Sequence, residues 1–113
     1  MRERQIEAHA VKRVKALGGE CFKVQFLGLR GAPDRFITLP ERQHKAWDGK
    51  VTKPGIVCWA ADWVEAPWCC WVEFKAPGVK PEAHQLRLHA RMRALGQRVV
   101  VIDSIEGVEE LLA

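Results

Sequence analysis

An uninterrupted run of β-branched residues, Val99–Ile102, constrains the fold of this chain more than any other segment. Successive side chains of a strand point to opposite faces of its sheet, so four apolar residues in a row need apolar cover on both faces. The sheet that holds this strand must therefore lie between two layers of other elements. Helices on both faces of a sheet are the usual solution in α/β proteins.

Three helices are available to cover such a sheet. The first is predicted by apolar residues at helical spacing before the stop at Gly18 and Gly19: Ile6, Ala10, Val14 and Leu17. The second is predicted by a stripe that ends at Gly96: Gln85, Leu88, Met92 and Leu95. Asp103, with Glu106 three residues later, is typical of a capping box and predicts a third helix ending at Leu112.

A two-residue period predicts strands at Phe22 to Phe26 and at Cys70 to Lys75, and the turn at residues 31–33 leads into a further strand, Arg35 to Leu39. Residues 40–69 hold four of the five tryptophans and show no clean period, so we interpret them as an insertion between two core strands. The predicted order is α-β-β-(insertion)-β-α-β-α. It favours a single α/β domain over residues 1–113, with a mixed central sheet in three layers, α/β/α.

Composition narrows the class of function only modestly. A formal charge of +4 and a pI near 9.1 suit a polyanionic partner. No run of eighteen apolar residues occurs, and the N-terminus is charged and amphipathic, so we expect a cytoplasmic protein, viral or bacterial, that is neither secreted nor membrane-spanning. The four cysteines include no CxxC pair, which favours reduced thiols over disulfides or zinc.

Glu73 and Lys75 are the first candidates for chemistry. They are two residues apart on a predicted strand, so their side chains emerge on one face roughly 7 Å apart, with Phe74 turned into the core. Asp34 follows a Gly-Ala-Pro turn and comes close to Glu73 if the two strands pair. Two converging carboxylates repel unless a cation is present, which makes the pair a candidate Mg²⁺ site. The alternative is that Glu73 and Lys75 are ordinary solvent-facing residues of an amphipathic strand and that Asp34 belongs to an ordinary Pro-Asp turn.

The candidates occur in a specific order along the chain: Glu7 in the first helix, the run GAPDR at residues 31–35, the run VEFKA at residues 72–76, and Gln85 in the next helix. Together they resemble the VRR-NUC nucleases, which belong to the PD-(D/E)XK superfamily and include stand-alone viral proteins. The resemblance covers the chain apart from residues 40–69, where members of the family usually have a short hairpin. It implies a restriction-endonuclease-like fold with an αβββαβ core.

The resemblance also implies roles for these residues. Asp34, Glu73 and the backbone carbonyl of Phe74 would bind Mg²⁺ or Mn²⁺, and Lys75 would orient or activate the attacking water. Gln85 would fix Lys75 or the scissile phosphate.

A carboxylate of the first helix would also reach the metal, directly or through water. The resemblance points to Glu7, and Glu3 is the alternative because it lies one turn earlier on nearly the same face.

The implied activity is metal-dependent endonucleolytic cleavage of DNA in replication or repair, at Holliday junctions or flaps rather than at a read sequence. Stand-alone viral members of the family act as homodimers, which implies the same here. Arg30, Arg35 and Lys80 are candidate contacts to DNA phosphates. For the five tryptophans we favour core or dimer packing over stacking on bases, with residues 40–69 as a hairpin or lobe that helps to form the dimer.

Two alternatives remain open at this point. One is a DNA-binding module that keeps the fold and has lost cleavage, against which the intact set of Asp34, Glu73 and Lys75 argues. The other is a zinc-stabilised interaction domain, whose ligands would be His44 with cysteines drawn from Cys58, Cys69 and Cys70.

Overall fold

Helices and strands follow one another along the chain in the predicted order. A computed structural model describes the backbone of residues 1–53 and 56–113, and the side chains of residues 1–41 and 68–113. Its elements are α1 (Glu3–Ala16), β1 (Glu20–Lys23), β2 (Arg35–Lys53), β3 (Ile56–Phe74), α2 (Ala83–Ala94), β4 (Val99–Ile102) and α3 (Ile105–Leu112). Within the described residues, no helix is long and apolar enough to cross a membrane.

The strands form one mixed sheet in the order β1-β2-β3-β4. β1 pairs with β2 and β2 with β3 in antiparallel fashion, whereas β4 runs parallel to β3. The connection between the parallel strands passes through α2, as a crossover between parallel strands requires. The mixed sheet predicted from the sequence is therefore confirmed.

One face of the sheet carries the main hydrophobic core, which α1 and α3 cover. The helices contribute Ile6, Ala10, Val14, Val108, Leu111 and Leu112. The strands contribute Ile37, Leu39, Trp68, Cys70, Val72, Phe74, Val100 and Ile102. Phe74 thus points into the core, as expected, and its neighbours in sequence point to the opposite face.

The opposite face is packed against α2. Val99 and Val101 of β4 are buried there, although they alternate with the core residues Val100 and Ile102. Burial on both faces explains why β4 is apolar throughout, and it completes the three-layer arrangement.

In residues 40–69 the described backbone continues the two neighbouring core strands. β2 and β3 do not stop at Leu39 and begin at Cys70. Instead they continue as a long antiparallel hairpin, with register shifts that begin between Leu39 and Arg42. These irregularities explain why no clean two-residue period is visible in the sequence. Trp68 is buried in the core of this chain and not in a separate lobe. The side chains of the other three tryptophans of this segment, Trp47, Trp59 and Trp63, lie outside the described residues.

Both longer helices end slightly earlier than their apolar patterns predict. Leu17 and Leu95 are the C-terminal cap residues of α1 and α2, and Leu95 is 82% exposed. The cap of α3 also differs from the prediction, because Ser104 accepts a hydrogen bond from the Gly107 N–H at 2.9 Å. Asp103 instead accepts a bond from the Gly78 N–H at 3.3 Å.

A close approach of the α1–β1 turn to β2 generates a test of the packing. A Cβ atom at Gly19 would clash with the carbonyl oxygen of Thr38 and lie 2.7 Å from Leu39 Cδ2. Because backbone cannot yield cheaply, we expect Gly19→Ala to destabilise the fold by about 2 kcal/mol in urea unfolding. Gly28→Ala is the matched control: its φ is +73° but the space is open, so only about 1 kcal/mol should be lost. Equal losses in the two variants would contradict this packing.

Candidate active site

Asp34 and Glu73 lie at the adjoining ends of two paired strands. The register pairs Arg35 of β2 with Val72 of β3, so the next position along each strand is Asp34 on one and Glu73 on the other. Glu73 is only 8% exposed. The structure therefore brings together the two carboxylates that the sequence singled out.

The Glu73 carboxyl is difficult to ionise in this environment. Burial raises its pKa from 4.5 to about 7; the nearby Lys75 ammonium opposes the shift, and the charges of Asp34 and Glu3 add to it. Near neutral pH this carboxyl is therefore protonated much more readily than an ordinary glutamate. A cation bound beside Glu73 and Asp34 would stabilise the ionised form of the buried carboxyl.

The available donors suit a hard divalent cation. Carboxylate oxygens are the ligands that Mg²⁺ prefers, and this cation usually keeps several water ligands alongside one or two carboxylates. Among the described residues, no group of three or more His, Cys, Asp or Glu side chains could hold a metal. Asp34 and Glu73 therefore fit a cation that takes its remaining ligands from backbone and water, and not a closed all-side-chain site.

Helix α2 presents Gln85 to Glu73. The Gln85 side-chain amide donates to Glu73 Oε1 at 3.3 Å, while its oxygen accepts from the Glu82 N–H at 2.9 Å at the start of the helix. The two bonds hold the amide in one orientation. Gln85 thus supports the carboxylate directly, whereas the sequence-based expectation was a contact to Lys75 or phosphate.

His89 is a neighbour of the site that the sequence interpretation missed. It is fully buried one turn after Gln85, with Nε2 3.9 Å from Glu73 Oε1. Burial, with the positive charges of Arg93 and Lys75, lowers its pKa to about 4, and the backbone of Gly31 opposes this shift. The ring is therefore neutral at pH 7. The i, i+4 spacing from Gln85 is the signal that could have identified it.

A second charged group ties α1 to the strands. Lys23 Nζ lies 2.6 Å from Asp34 Oδ2 and 3.6 Å from Glu7 Oε2. The hydrogen bond to Asp34 raises the pKa of Lys23. Arg35 Nε donates to Glu7 Oε2 at 2.6 Å, and Arg35 Nη1 donates to the Cys21 carbonyl at 3.1 Å. Lys23 was not among the predicted site residues, because its role depends on the pairing of β1 with β2.

The two candidate carboxylates of α1, Glu3 and Glu7, have different surroundings. Glu7 is engaged by Arg35 and Lys23, whereas Glu3 is exposed and its charge acts on Glu73. Glu7 thus holds Arg35 in place, and the charge of Glu3 contributes to the raised pKa of Glu73; which of the two would reach a metal stays a prediction.

The three basic residues predicted to contact DNA differ in their surroundings. Arg30 and Lys80 are exposed. Arg35 is largely enclosed, and its guanidinium is engaged by Glu7 and by the Cys21 carbonyl. A phosphate contact is thus open to Arg30 and Lys80, while Arg35 has a structural partner already.

Comparison with known proteins supplies independent evidence. No protein-family model matches the chain. The chain is 39% identical over 104 residues, 92% of its length and 85% of the relative, to "Putative nuclease p44" of Acyrthosiphon pisum secondary endosymbiont phage 1. A solved structure described as "VRR_NUC domain" is similar with a TM-score of 0.67 and 31% identity, over 97% of this chain and 92% of that one. Both spans include most of residues 40–69.

The raised pKa of Glu73 generates a prediction for the metal-free protein. The folded state binds more protons than the unfolded state between about pH 4.5 and pH 7, so wild-type stability should fall as pH rises through that window. Glu73→Gln removes the cost of ionisation. We expect it to be more stable than wild type at pH 8 by roughly 1–2 kcal/mol, allowing for partial screening by water, and similar near pH 4.

Urea unfolding in EDTA across this range measures the difference. Glu106→Gln, which removes an exposed carboxyl from α3 on the other side of the sheet, is the matched control. A stability difference between wild type and Glu73→Gln that does not change with pH would contradict the burial argument.

Proposed function

Because this chain belongs to the VRR-NUC family of nucleases, we propose that it hydrolyses DNA phosphodiester bonds with Mg²⁺ or Mn²⁺ bound between Asp34 and Glu73. The observation that carries the proposal is the meeting of these two carboxylates at the ends of β2 and β3. Burial and neighbouring acids raise the pKa of one of them to about 7. Two adjoining carboxylates, one of them buried, destabilise a fold when both are ionised, and such groups are typical of sites that bind a cation.

The metal would be held by one carboxylate from each strand and by the backbone carbonyl of Phe74. When bound there, a divalent cation lowers the pKa of a coordinated water and stabilises charge on the phosphate. Gln85 keeps the Glu73 carboxylate oriented through its amide bond. His89 is neutral and fully buried, and its Nε2 lies 3.9 Å from Glu73 Oε1, so it adds to the burial of the carboxylate.

Lys75 is the proposed catalytic cation. Its charge acts on Glu73, and it follows the last residue of β3, with its backbone N–H bonded to the Ile102 carbonyl at 2.9 Å. That bond fixes the backbone from which the side chain extends. An ammonium held beside the carboxylates can orient the attacking water and stabilise negative charge on the phosphate in the transition state.

Lys23 and Glu3 adjust the charge of the site from its edge. Lys23 donates to Asp34 Oδ2 at 2.6 Å and so fixes the position of that side chain at the edge of the site. Glu3 adds negative charge near Glu73 from the first turn of α1. Arg30 and Lys80 are exposed cations that would bind the phosphates on either side of the cut.

We further propose an endonuclease that acts on branched DNA, of Holliday-junction or flap type, as a homodimer. Two copies would present two active sites to two strands, which one small chain cannot do. The long β2–β3 hairpin is the proposed dimer element, because its strand pairing continues past the core residues Leu39 and Trp68 as far as Lys53 and Ile56. The branched substrate and the dimer both rest on the resemblance to stand-alone viral members of the family.

Removal of either carboxylate should abolish cleavage without unfolding the protein. Asp34→Asn and Glu73→Gln each remove a cation ligand's charge at nearly constant volume, so we expect at least about a hundredfold loss of rate in Mg²⁺ or Mn²⁺. The assay uses labelled duplex, flap, single-stranded and four-way DNA, with Glu106→Gln as the matched carboxyl control. Full activity in either site variant would refute the assignment. A wild-type protein that binds but never cuts these substrates would be a DNA-binding module.

Lys75→Ala should separate catalysis from metal binding. A cation beside the site opposes metal binding but helps the transition state, so the cleavage rate should fall roughly a hundredfold or more while Mn²⁺ affinity stays equal or rises slightly. Single-turnover kinetics and calorimetric Mn²⁺ titration measure the two effects. Loss of Mn²⁺ binding together with activity would show that Lys75 is structural and contradict its catalytic role.

A further inference from the structure

Aromatic side chains lie beside Glu73 on the α2 side of the sheet. Trp71 is two residues before Glu73 on β3, so both side chains leave the same face roughly 7 Å apart. Phe36 is the register partner of Trp71 on β2, and their ring centroids are 4.5 Å apart. Phe26 packs edge-on against Trp71 at 5.3 Å. Phe22 is the β1 partner of Phe36. We call these four residues the aromatic cluster.

The aromatic cluster is not part of the described hydrophobic core. Its residues are partly exposed, and Phe22 is 49% exposed, even though α2 covers the neighbouring part of the same face. The indole N–H of Trp71 donates to Gln97 Oε1 at 2.8 Å, which holds the ring in one orientation. A fixed, partly exposed indole on a rigid strand differs from Trp68, which is buried on the opposite face.

We propose that the aromatic cluster is a stacking platform for unpaired DNA bases next to the phosphate that is cut. The inference rests on the proposed function, because it takes the Glu73 site as the position of that phosphate. A separation of roughly 7 Å places the rings on the order of two nucleotides from the phosphate. The substrate class that fits is DNA with a single-stranded segment at the cut.

The β1–β2 connection supplies a cation that suits this occupant. The connection from β1 to β2 carries Phe26 and, four residues later, the exposed Arg30, and it ends at Asp34 of the site. Aromatic faces with adjacent cations are the combination that single-stranded nucleic acid requires, since the rings stack on bases and the cations hold phosphates. The sequence favoured core or dimer packing for all five tryptophans. That holds for Trp68, whereas the surroundings of Trp71 favour stacking on bases.

The test compares a strand that has bases with one that lacks them. Fluorescein-labelled oligothymidine of about 12 nucleotides and an abasic strand of equal length are titrated by anisotropy in EDTA, so that binding is measured without cleavage. Wild type should prefer oligothymidine. Trp71→Leu should bind oligothymidine about tenfold more weakly and the abasic strand equally well, because only stacking is lost. Trp71→Phe keeps a ring and should retain most of the preference.

A second variant keeps the proposal testable if Trp71→Leu fails to fold. Phe26→Leu changes a residue of the β1–β2 connection that touches the Trp71 ring, and it should weaken binding of oligothymidine alone. Equal losses on both strands, or no loss in either variant, would overturn the proposal. So would a dimer in sedimentation that Trp71→Leu converts to monomer with oligothymidine binding intact, since the cluster would then be a contact between subunits.

The outcome is separable from the proposed function. Wild-type cleavage in Mg²⁺, measured on the same preparations, tests the nuclease assignment alone. Cleavage without a preference for bases would refute only the platform, and a preference for bases without cleavage would refute only the catalytic proposal.

Discussion

Burial of the Glu73 carboxyl beside Asp34 is the constraint on which the other features of the site depend. Removing a carboxylate from water is unfavourable unless it is bonded or paired. The fold meets this cost with an amide from α2 and the nearby Lys75 ammonium, yet the pKa remains near 7. The geometry is possible because antiparallel pairing of β2 with β3 sets the two acids side by side, while the parallel β4 beside β3 requires α2 to cover that face.

Sequence patterns predicted the elements better than their ends. The β-branched run Val99–Ile102 correctly indicated a sheet covered on both faces. For residues 40–69 the sequence left a hairpin and a lobe as alternatives, because the register shifts of the β2–β3 hairpin break the two-residue period. Local spacing rules placed Glu73 on one face of a strand and Gln85 on the stripe of α2, whereas the meeting of Asp34 with Glu73 depends on the non-local pairing of β2 with β3. The contacts of Lys23 could not, because they join residues from three elements.

In helix α2, too, the sequence pattern predicted only part of what is buried. An apolar stripe identified Leu88 correctly, but burial continues at His89 and not at Leu95, because α2 faces the Glu73 carboxyl as well as apolar β4. The buried polar residue of α2, His89, therefore marks the part of the helix that packs against the site. The partly exposed aromatic cluster shows that α2 covers only part of this face of the sheet. Trp71, in the uncovered part, is two residues before Glu73 on β3.

Anomalous diffraction from crystals grown with Mn²⁺ tests the central claim most directly, because it locates the cation without relying on activity. The account predicts an anomalous peak within about 2 Å of carboxylate oxygens from both Asp34 and Glu73. The same crystals of Asp34→Asn should lose that peak while keeping the fold. A peak that avoids both carboxylates in the wild-type protein at saturating Mn²⁺ would contradict the account.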